Sequence, residues 1–508
     1  MEVKRRLCSL ILTAFLLMYA FPVSATEKDH VKFQDETIYF LMIDRFNNGD
    51  NRNDKEVIKS DPLSYQGGDF KGVEAKLDYL KEMGFTSIVL TPIFENEKGG
   101  YHGYWITNFY KTNPQFGSIK DFKNLINEAH DRDMKVLVDF PVTHVSPSHP
   151  WVKESEKAGW FTNENIPVSQ KWLGNMAAFN LENNETRQEL ISAAKWWINK
   201  TDLDGYYLSN ATGASIEFWN EFAKEVKEEK EDFFLLGESQ TENLKTVALY
   251  EDSGLDAVTN PLLTTPLRRQ FTAIERNSSQ TPDLLKKAND TIGDPLLTAN
   301  FFDNYMTERF TRDMVVEKVY PVTRWKLALT YLYTIPGLPI VYYGSEIALD
   351  GGKGADNHRV MDFRVNKDLI DHIKKMAELR QQLPALKDGT YTPIYEKNGM
   401  TVFKREYKEE TLIIAINNTR ETKKVKIPVS ELTKNKELRG LLVGDYVRPK
   451  DEKFTIILNR EESEIYALAE KTGINITFIG VLVAINFGFL IFFYLVWKRG
   501  KSKLKKDK

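Results

Sequence analysis

The chain has 508 residues and a single cysteine, Cys8. One cysteine near the N-terminus excludes a disulfide-stapled scaffold and any Cys-based metal or thiol chemistry in the main body. Charge of one sign is also lacking: 69 Lys and Arg face 72 Asp and Glu, a formal net charge of −3. Nucleic-acid binding is thereby excluded, because it would require a strongly basic domain. Histidine is scarce at seven, and no internal repeat or low-complexity stretch interrupts the body of the chain. Aromatics reach 12%, enough for a large core and for ring surfaces on which a sugar face could stack.

Long apolar runs are confined to the two ends. A basic start (Lys4, Arg5, Arg6) precedes an apolar run from Leu7 to Phe21 and small residues at Val23-Ser24-Ala25. The pattern predicts a secretory signal peptide at 1–25 that would carry Cys8 away with it, leaving a cysteine-free protein of the exported bacterial kind. From Ile474 to Trp497 the sequence is almost unbroken apolar, followed by Lys498, Arg499, Lys501, Lys503, Lys505, Lys506 and Lys508. Length and flanking charge predict a single transmembrane helix at 474–497 in contact with lipid, with a basic cytoplasmic tail at 498–508. The expected localisation is the cell membrane, single-pass, with the bulk of the chain outside.

Between Glu36 and about Leu383, short β-rich runs alternate with longer amphipathic segments. The runs are Thr37–Ile43, Ser87–Thr91, Lys135–Phe140, Gly205–Leu208, Phe233–Gly237, Ala257–Thr259, Leu297–Phe302 and Leu338–Tyr343. Eight alternating units predict a closed α/β barrel, the (β/α)8 or TIM architecture, over 26–383. An irregular excursion at about 145–180, carrying Trp151, Trp160 and Trp172, reads as a small inserted subdomain after the third strand. Beyond Leu383 the pattern becomes short strands and turns, which predicts a C-terminal antiparallel β-domain over 384–468.

The loop from Asp44 to Asp54 concentrates oxygen-bearing side chains around Gly49, and Gly67-Gly68-Asp69 follows shortly after. Such a set suits Ca²⁺, which takes six to eight oxygens from carboxylates, amides and carbonyls. An Asx-rich turn cluster that caps its own backbone accounts for the same residues.

The run Ile38 to Phe46 with its loop resembles the opening of the α-amylase family (glycoside hydrolase family 13), above all its cyclodextrin-acting and maltogenic branches. Further landmarks follow in order over roughly 350 residues: His102-Gly103-Tyr104, Phe116 to Phe122, Val136 to His144, Leu235-Leu236-Gly237-Glu238, and Pro336 to Glu346. The resemblance implies a barrel enzyme of α-glucan chemistry and a Ca²⁺ held by Asn48, Asp50, Asn53, Asp54, the carbonyl of Gly67, and Asp69. It implies sugar contacts at Tyr104, Trp105, Asp139, His144, Tyr207 and Tyr305, with an α-glucan or malto-oligosaccharide as ligand. Glu238 stands at the acid/base position.

The departures from the family pattern carry more information than the matches. Within Gly205-Tyr206-Tyr207-Leu208-Ser209, residues 207 and 209 share one strand face. Tyr207 replaces the arginine of the family, and Ser209 replaces its nucleophilic aspartate. Met306 stands where a third carboxylate belongs, and Tyr305 where a histidine would meet the sugar. The ligands of a second, central calcium have also gone, replaced by Thr143, Ala178 and Gly213. Retention with cleavage needs two carboxyl groups about 5–5.5 Å apart, and a neutral serine hydroxyl without a base does not substitute for one. The expectation is a membrane-tethered, non-catalytic α-glucan-binding or sensing protein. Two alternatives stand beside it. One is an active hydrolase or transferase using Glu238 as acid with Asp139 or Asp303 as a distant base. The other is a scaffold for a membrane-protein partner.

Overall fold

The computed structural model describes residues 33–162, 171–275, 280–292, 298–364, 367–433, 435–471 and 476–504. The predicted signal peptide at 1–25, with Cys8, lies outside the described residues.

Eight parallel strands close into a barrel: β1 (Ile38–Leu41), β2 (Ser87–Leu90), β3 (Lys135–Asp139), β4 (Gly205–Leu208), β5 (Phe234–Gly237), β6 (Ala257–Thr259), β7 (Thr298–Asn300) and β8 (Leu338–Tyr342). Each pairs with its sequence neighbours, and β1 pairs with β8 to complete the ring. Strands buried on both faces need apolar side chains at almost every position. Ile38-Tyr39-Phe40-Leu41, Ser87-Ile88-Val89-Leu90 and Leu338-Pro339-Ile340-Val341-Tyr342 are buried throughout. These are the runs read from the sequence, trimmed by a residue or two at the ends.

The connecting helices start on well-formed caps. Ile119–His130 begins on a capping box in which Ser118 and Asp121 satisfy each other's backbone N–H groups. Asn183 caps Asn184–Thr201, and Ser215 caps Ile216–Glu229. These caps fix where each helix starts and hence which end of each strand is left open to form loops. The inserted region is anchored by a two-residue pairing of His144–Val145 with Ala177–Ala178, and short helical turns place Trp151, Trp160 and Trp172 above the barrel.

The C-terminal domain is an antiparallel sandwich. Its larger sheet has the order Thr390–Lys397, Met400–Tyr407, Glu410–Asn417, Glu462–Glu470, Lys436–Gly440, Tyr446–Val447, and the smaller pairs Lys423–Pro428 with Lys453–Leu458. Met400, Val402, Ile413, Ala415, Val425, Ile427, Phe454, Ile456 and Tyr466 form the core between the sheets.

The C-terminal segment requires a correction. Ile476–Leu504 forms one helix, and its last turns carry Lys498, Arg499, Lys501 and Lys503. Among the described residues no helix is long and apolar enough to cross a membrane. The expected transmembrane helix at 474–497 is overturned on that finding. The single-pass cell-membrane localisation, the lipid contact and the cytoplasmic placement of the 498–508 tail all rested on that span and fall with it.

Candidate functional site at the barrel mouth

Loops at the C-terminal ends of parallel barrel strands gather residues from distant parts of the chain onto one face. Here they bring together Tyr104, Asp139, Tyr207, Ser209, Glu238 and Tyr305. Asp139 ends β3, Tyr207 and Ser209 lie on and just after β4, and Glu238 follows β5 directly. All six side chains are buried, Glu238 at 3% exposure and Tyr305 at 2%.

Both oxygens of Glu238 are occupied. Tyr207 donates its hydroxyl to Oε1 at 2.9 Å, and Tyr305 donates to Oε2 at 3.0 Å. The Asn210 backbone N–H adds a longer bond of 3.3 Å to Oε2. Asp139 is capped in the same way, by the Tyr104 hydroxyl at 2.6 Å and the Ser209 N–H at 3.3 Å. Burial raises the carboxyl of Glu238 above its ordinary range despite these donors. Asp139 is pushed up to about 8, first by burial and further by the neighbouring charge of Glu238. Asp139 therefore carries its proton at neutral pH.

Among the described residues no arginine or lysine is hydrogen-bonded to this pair, and Tyr207 holds the position where the family resemblance places an arginine. The Ser209 hydroxyl is buried and lies against the Asp139 carboxyl; a neutral hydroxyl does not replace the nucleophilic carboxylate. Asp303 does not turn toward Glu238: its carboxylate accepts from the Phe310 N–H at 2.8 Å and the Ser345 hydroxyl at 3.1 Å. Met306 is half-buried and packs at the edge of the core. His144 is buried and neutral, held down to about 4 by desolvation, with Nδ1 against the Thr143 hydroxyl at 2.9 Å. The Trp105 indole N–H is committed to the Leu173 carbonyl at 2.7 Å.

The space above Glu238 is filled by rings. Tyr305 lies nearly parallel to Tyr104, with centroids 5.2 Å apart at 15°, and to Phe40, 5.5 Å apart at 12°. Tyr207 meets Phe40 edge-on at 5.0 Å. Trp172 from the inserted region stands edge-on to Tyr104 and Tyr305 at 6.1 and 6.5 Å. Such offset and edge contacts are the favourable aromatic geometries. The sequence named Tyr104, Tyr207 and Tyr305 but gave no sign of the part played by Phe40 or Trp172, whose residue types read equally as core.

The oxygen-rich loop lies on the same end of the barrel. Asn48 Nδ2 donates to both Asp54 oxygens at 3.0 and 2.8 Å. Asp69 accepts from the Gly49 and Asp50 N–H groups at 3.0 and 2.8 Å, and from Asn53 Nδ2 at 3.4 Å. Gly67 has a φ of +90°, and a Cβ there would meet Asn48 Nδ2 at 2.5 Å and Asp54 Oδ1 at 2.8 Å. Glycine is thus required both for the backbone angle and for the close approach. Asn48 Oδ1 and Asn53 Oδ1 are buried and have no partner. Two orphaned oxygens beside Asp54, Asp69 and the Gly67 backbone are a donor set of the kind Ca²⁺ takes. Asp50 fits this set least well, since its carboxylate is held by Arg52 and by Lys71 at 2.6 Å. Among the described residues no group of three or more His, Cys, Asp or Glu side chains is placed to hold a metal. A cation here would therefore depend on amide and carbonyl oxygens.

With that geometry in hand, comparison with known proteins decides the family. The model of the α-amylase catalytic domain matches residues 40–172 and 168–384, and that of the α-amylase C-terminal domain matches 389–466. The chain belongs to the α-amylase family. A cyclomaltodextrinase of Thermoanaerobacter pseudethanolicus is 29% identical over 415 residues, covering 76% of this chain and 70% of that protein. Among solved structures, an Anoxybacillus α-amylase is 49% identical and covers 87% of this chain and 99% of its own, with a TM-score of 0.83. The Geobacillus thermoleovorans α-amylase, solved in complex with acarbose, is 46% identical, covers 87% and 100%, and has a TM-score of 0.82. The shared α-amylase fold accounts for the barrel, the position of the mouth and the C-terminal sandwich.

Proposed function

We propose that this α-amylase-family protein does not cleave glycosidic bonds and that its ligand class is α-linked glucans. One observation carries the first part. Glu238, at the acid/base position, is buried with both carboxyl oxygens taken by Tyr207 and Tyr305, and neither Asp139 nor Asp303 is free to act with it. The retaining mechanism needs a nucleophilic carboxylate about 5–5.5 Å from the acid, and the matching position in the family pattern holds the neutral hydroxyl of Ser209. The inverting alternative needs a base about 6.5–9.5 Å away that is ionised at working pH. Asp303 is bound elsewhere, and Asp139 keeps its proton. Losing a catalytic nucleophile costs on the order of 10⁴–10⁶ in kcat, and the arginine and the third carboxylate of the family are missing as well. The second part rests on kinship with relatives named for cyclomaltodextrin and maltogenic activity.

The proposal extends to Ca²⁺ at Asn48, Asn53, Asp54, the Gly67 carbonyl and Asp69, with Asp50 as the outlying member. The ion would supply positive charge that ties the two halves of the 48–69 loop together. The orphaned Asn48 and Asn53 oxygens support this reading.

Chromogenic maltosides, starch and cyclodextrins offered to the full chain in Ca²⁺ test the function, with Glu238→Gln as control. The reading expects both proteins to be equally inert, and turnover that Glu238→Gln abolishes would refute it.

A further inference from the structure

A pyranose ring presents two recognisable features to a protein: a flat face of C–H groups that lies on an aromatic ring, and hydroxyls that donate to carboxylates. Tyr305 presents the same pair to the barrel mouth. Its ring lies on Tyr104 at 5.2 Å and 15°, and its hydroxyl donates to Glu238 Oε2 at 3.0 Å. We propose that Tyr305 is an intramolecular ligand that fills a sugar-ring position between Tyr104 and Glu238, so that removing its ring opens a site for an α-linked oligosaccharide. The inference deepens the non-cleaving reading given above and rests on it.

Tyr305 is held at both ends. His358 is buried, and desolvation holds it down to about 3, so it is neutral. It lies 3.0 Å from the Tyr305 carbonyl through Nε2 and 3.0 Å from the Tyr101 hydroxyl through Nδ1. A carbonyl only accepts, so Nε2 carries the hydrogen and Nδ1 accepts from Tyr101. The turn that carries Tyr305 is fixed by Asn304 Oδ1, which accepts from the Met306 and Thr307 N–H groups at 3.0 and 3.1 Å. Phe40 closes the inner face of the ring. A side chain clamped through its carbonyl, its hydroxyl and both ring faces is a fixed part of the mouth and does not swing as a loose loop residue.

A second, independent observation points to a ligand. Around this stack His102 Nε2 and the Trp172 indole N–H are buried without hydrogen-bond partners. His102 stacks near Tyr104 at 5.9 Å, and Trp172 stands over Tyr305. Orphaned buried polar atoms are costly and call for an occupant. Tyr305 satisfies Glu238 but, with one hydroxyl, leaves these two unmet. A sugar ring carrying several hydroxyls could reach more of them.

Calorimetric titration of the full chain with acarbose and with maltotriose tests this. The wild type and Tyr305→Phe, which keeps the ring, are expected to bind weakly. Tyr305→Ala is expected to bind at least tenfold more tightly than the wild type, and without turnover, because Ser209 and Met306 are unchanged. Should Tyr305→Ala fail to melt cooperatively, Tyr305→Leu, which keeps bulk but neither the flat ring nor the hydroxyl, takes its place under the same criterion. A folded variant that binds neither sugar overturns the proposal, and so does wild-type binding that equals the variant's. Turnover by the wild type would instead sink the non-cleaving reading, so the two failures are told apart.

Discussion

The 48–69 loop and the barrel mouth sit on the same end of the same barrel and treat their polar atoms differently. The loop keeps an oxygen at every position where the family resemblance places a calcium ligand, and leaves Asn48 Oδ1 and Asn53 Oδ1 without partners. At the mouth, Tyr207 and Tyr305 stand where the family resemblance places an arginine and a histidine, and the carboxyls of Glu238 and Asp139 are capped by tyrosine hydroxyls. A site awaiting a ligand leaves polar atoms open, whereas a site closed on itself satisfies them internally. By that criterion the loop is open and the mouth is largely shut, with the residual orphans around Tyr305 marking where the shutting is incomplete.

The largest effect that would sharpen this contrast is on pH. Asp139 is raised to about 8 in the folded protein, against about 3.9 for an unfolded aspartate. Between those values the folded state holds a proton that the unfolded state has released, so stability falls as pH rises from about 4 to about 8. Asp139→Asn removes that dependence. The variant is expected to gain on the wild type steadily across that window, by up to about 5 kcal/mol at its upper end, measured by urea unfolding at each pH. A gap that stays constant with pH would mean that Asp139 is ionised and the mouth is more open than described.

Next in size, Tyr305→Ala is expected to lose about 3–5 kcal/mol of unfolding free energy, as for other large aromatic truncations in a packed core. The same urea series checks it. A loss below about 1 kcal/mol would show that the stack contributes little.

The loop supplies the third comparison. Chelating Ca²⁺ is expected to lower unfolding free energy by about 3 kcal/mol when the ion was present at 100 times its Kd. Asp69→Ala should abolish the difference between calcium and chelator in a thermal melt. Equal melting of the wild type in both conditions would assign the loop to backbone capping alone.

The smallest effect is expected at Ser209. Its buried hydroxyl makes one contact, to the Asp139 carboxyl, so Ser209→Ala should cost no more than about 1 kcal/mol in the same urea series. A larger loss would show that the hydroxyl holds more of the mouth together than that contact.

The barrel was legible because strands buried on both faces are written as continuous apolar runs, so even Ala257–Thr259 stands out between its helices. The edge strand Thr390–Lys397 was missed. It is exposed along most of its length and carries Pro393, so neither alternation nor propensity marks it. Glu462–Glu470 was missed because polar residues at both ends mask its buried centre. In the site, Glu238, Asp139, Ser209 and Met306 were found through ordered motifs. Their closure was not, because it depends on three distant rings, Phe40, Tyr104 and Tyr305, meeting face to face. Asp50 shows the same limit: Arg52 lies two residues along, but Lys71, which also holds its carboxylate, comes from the following helix.

The most direct test of the central claim is α-glucan turnover by the full chain in Ca²⁺ beside Glu238→Gln. The closed, tyrosine-capped mouth predicts that neither protein exceeds the uncatalysed background on maltosides, starch or cyclodextrins. Turnover by the wild type that vanishes in Glu238→Gln would contradict it and show that Glu238 still acts as a catalytic acid.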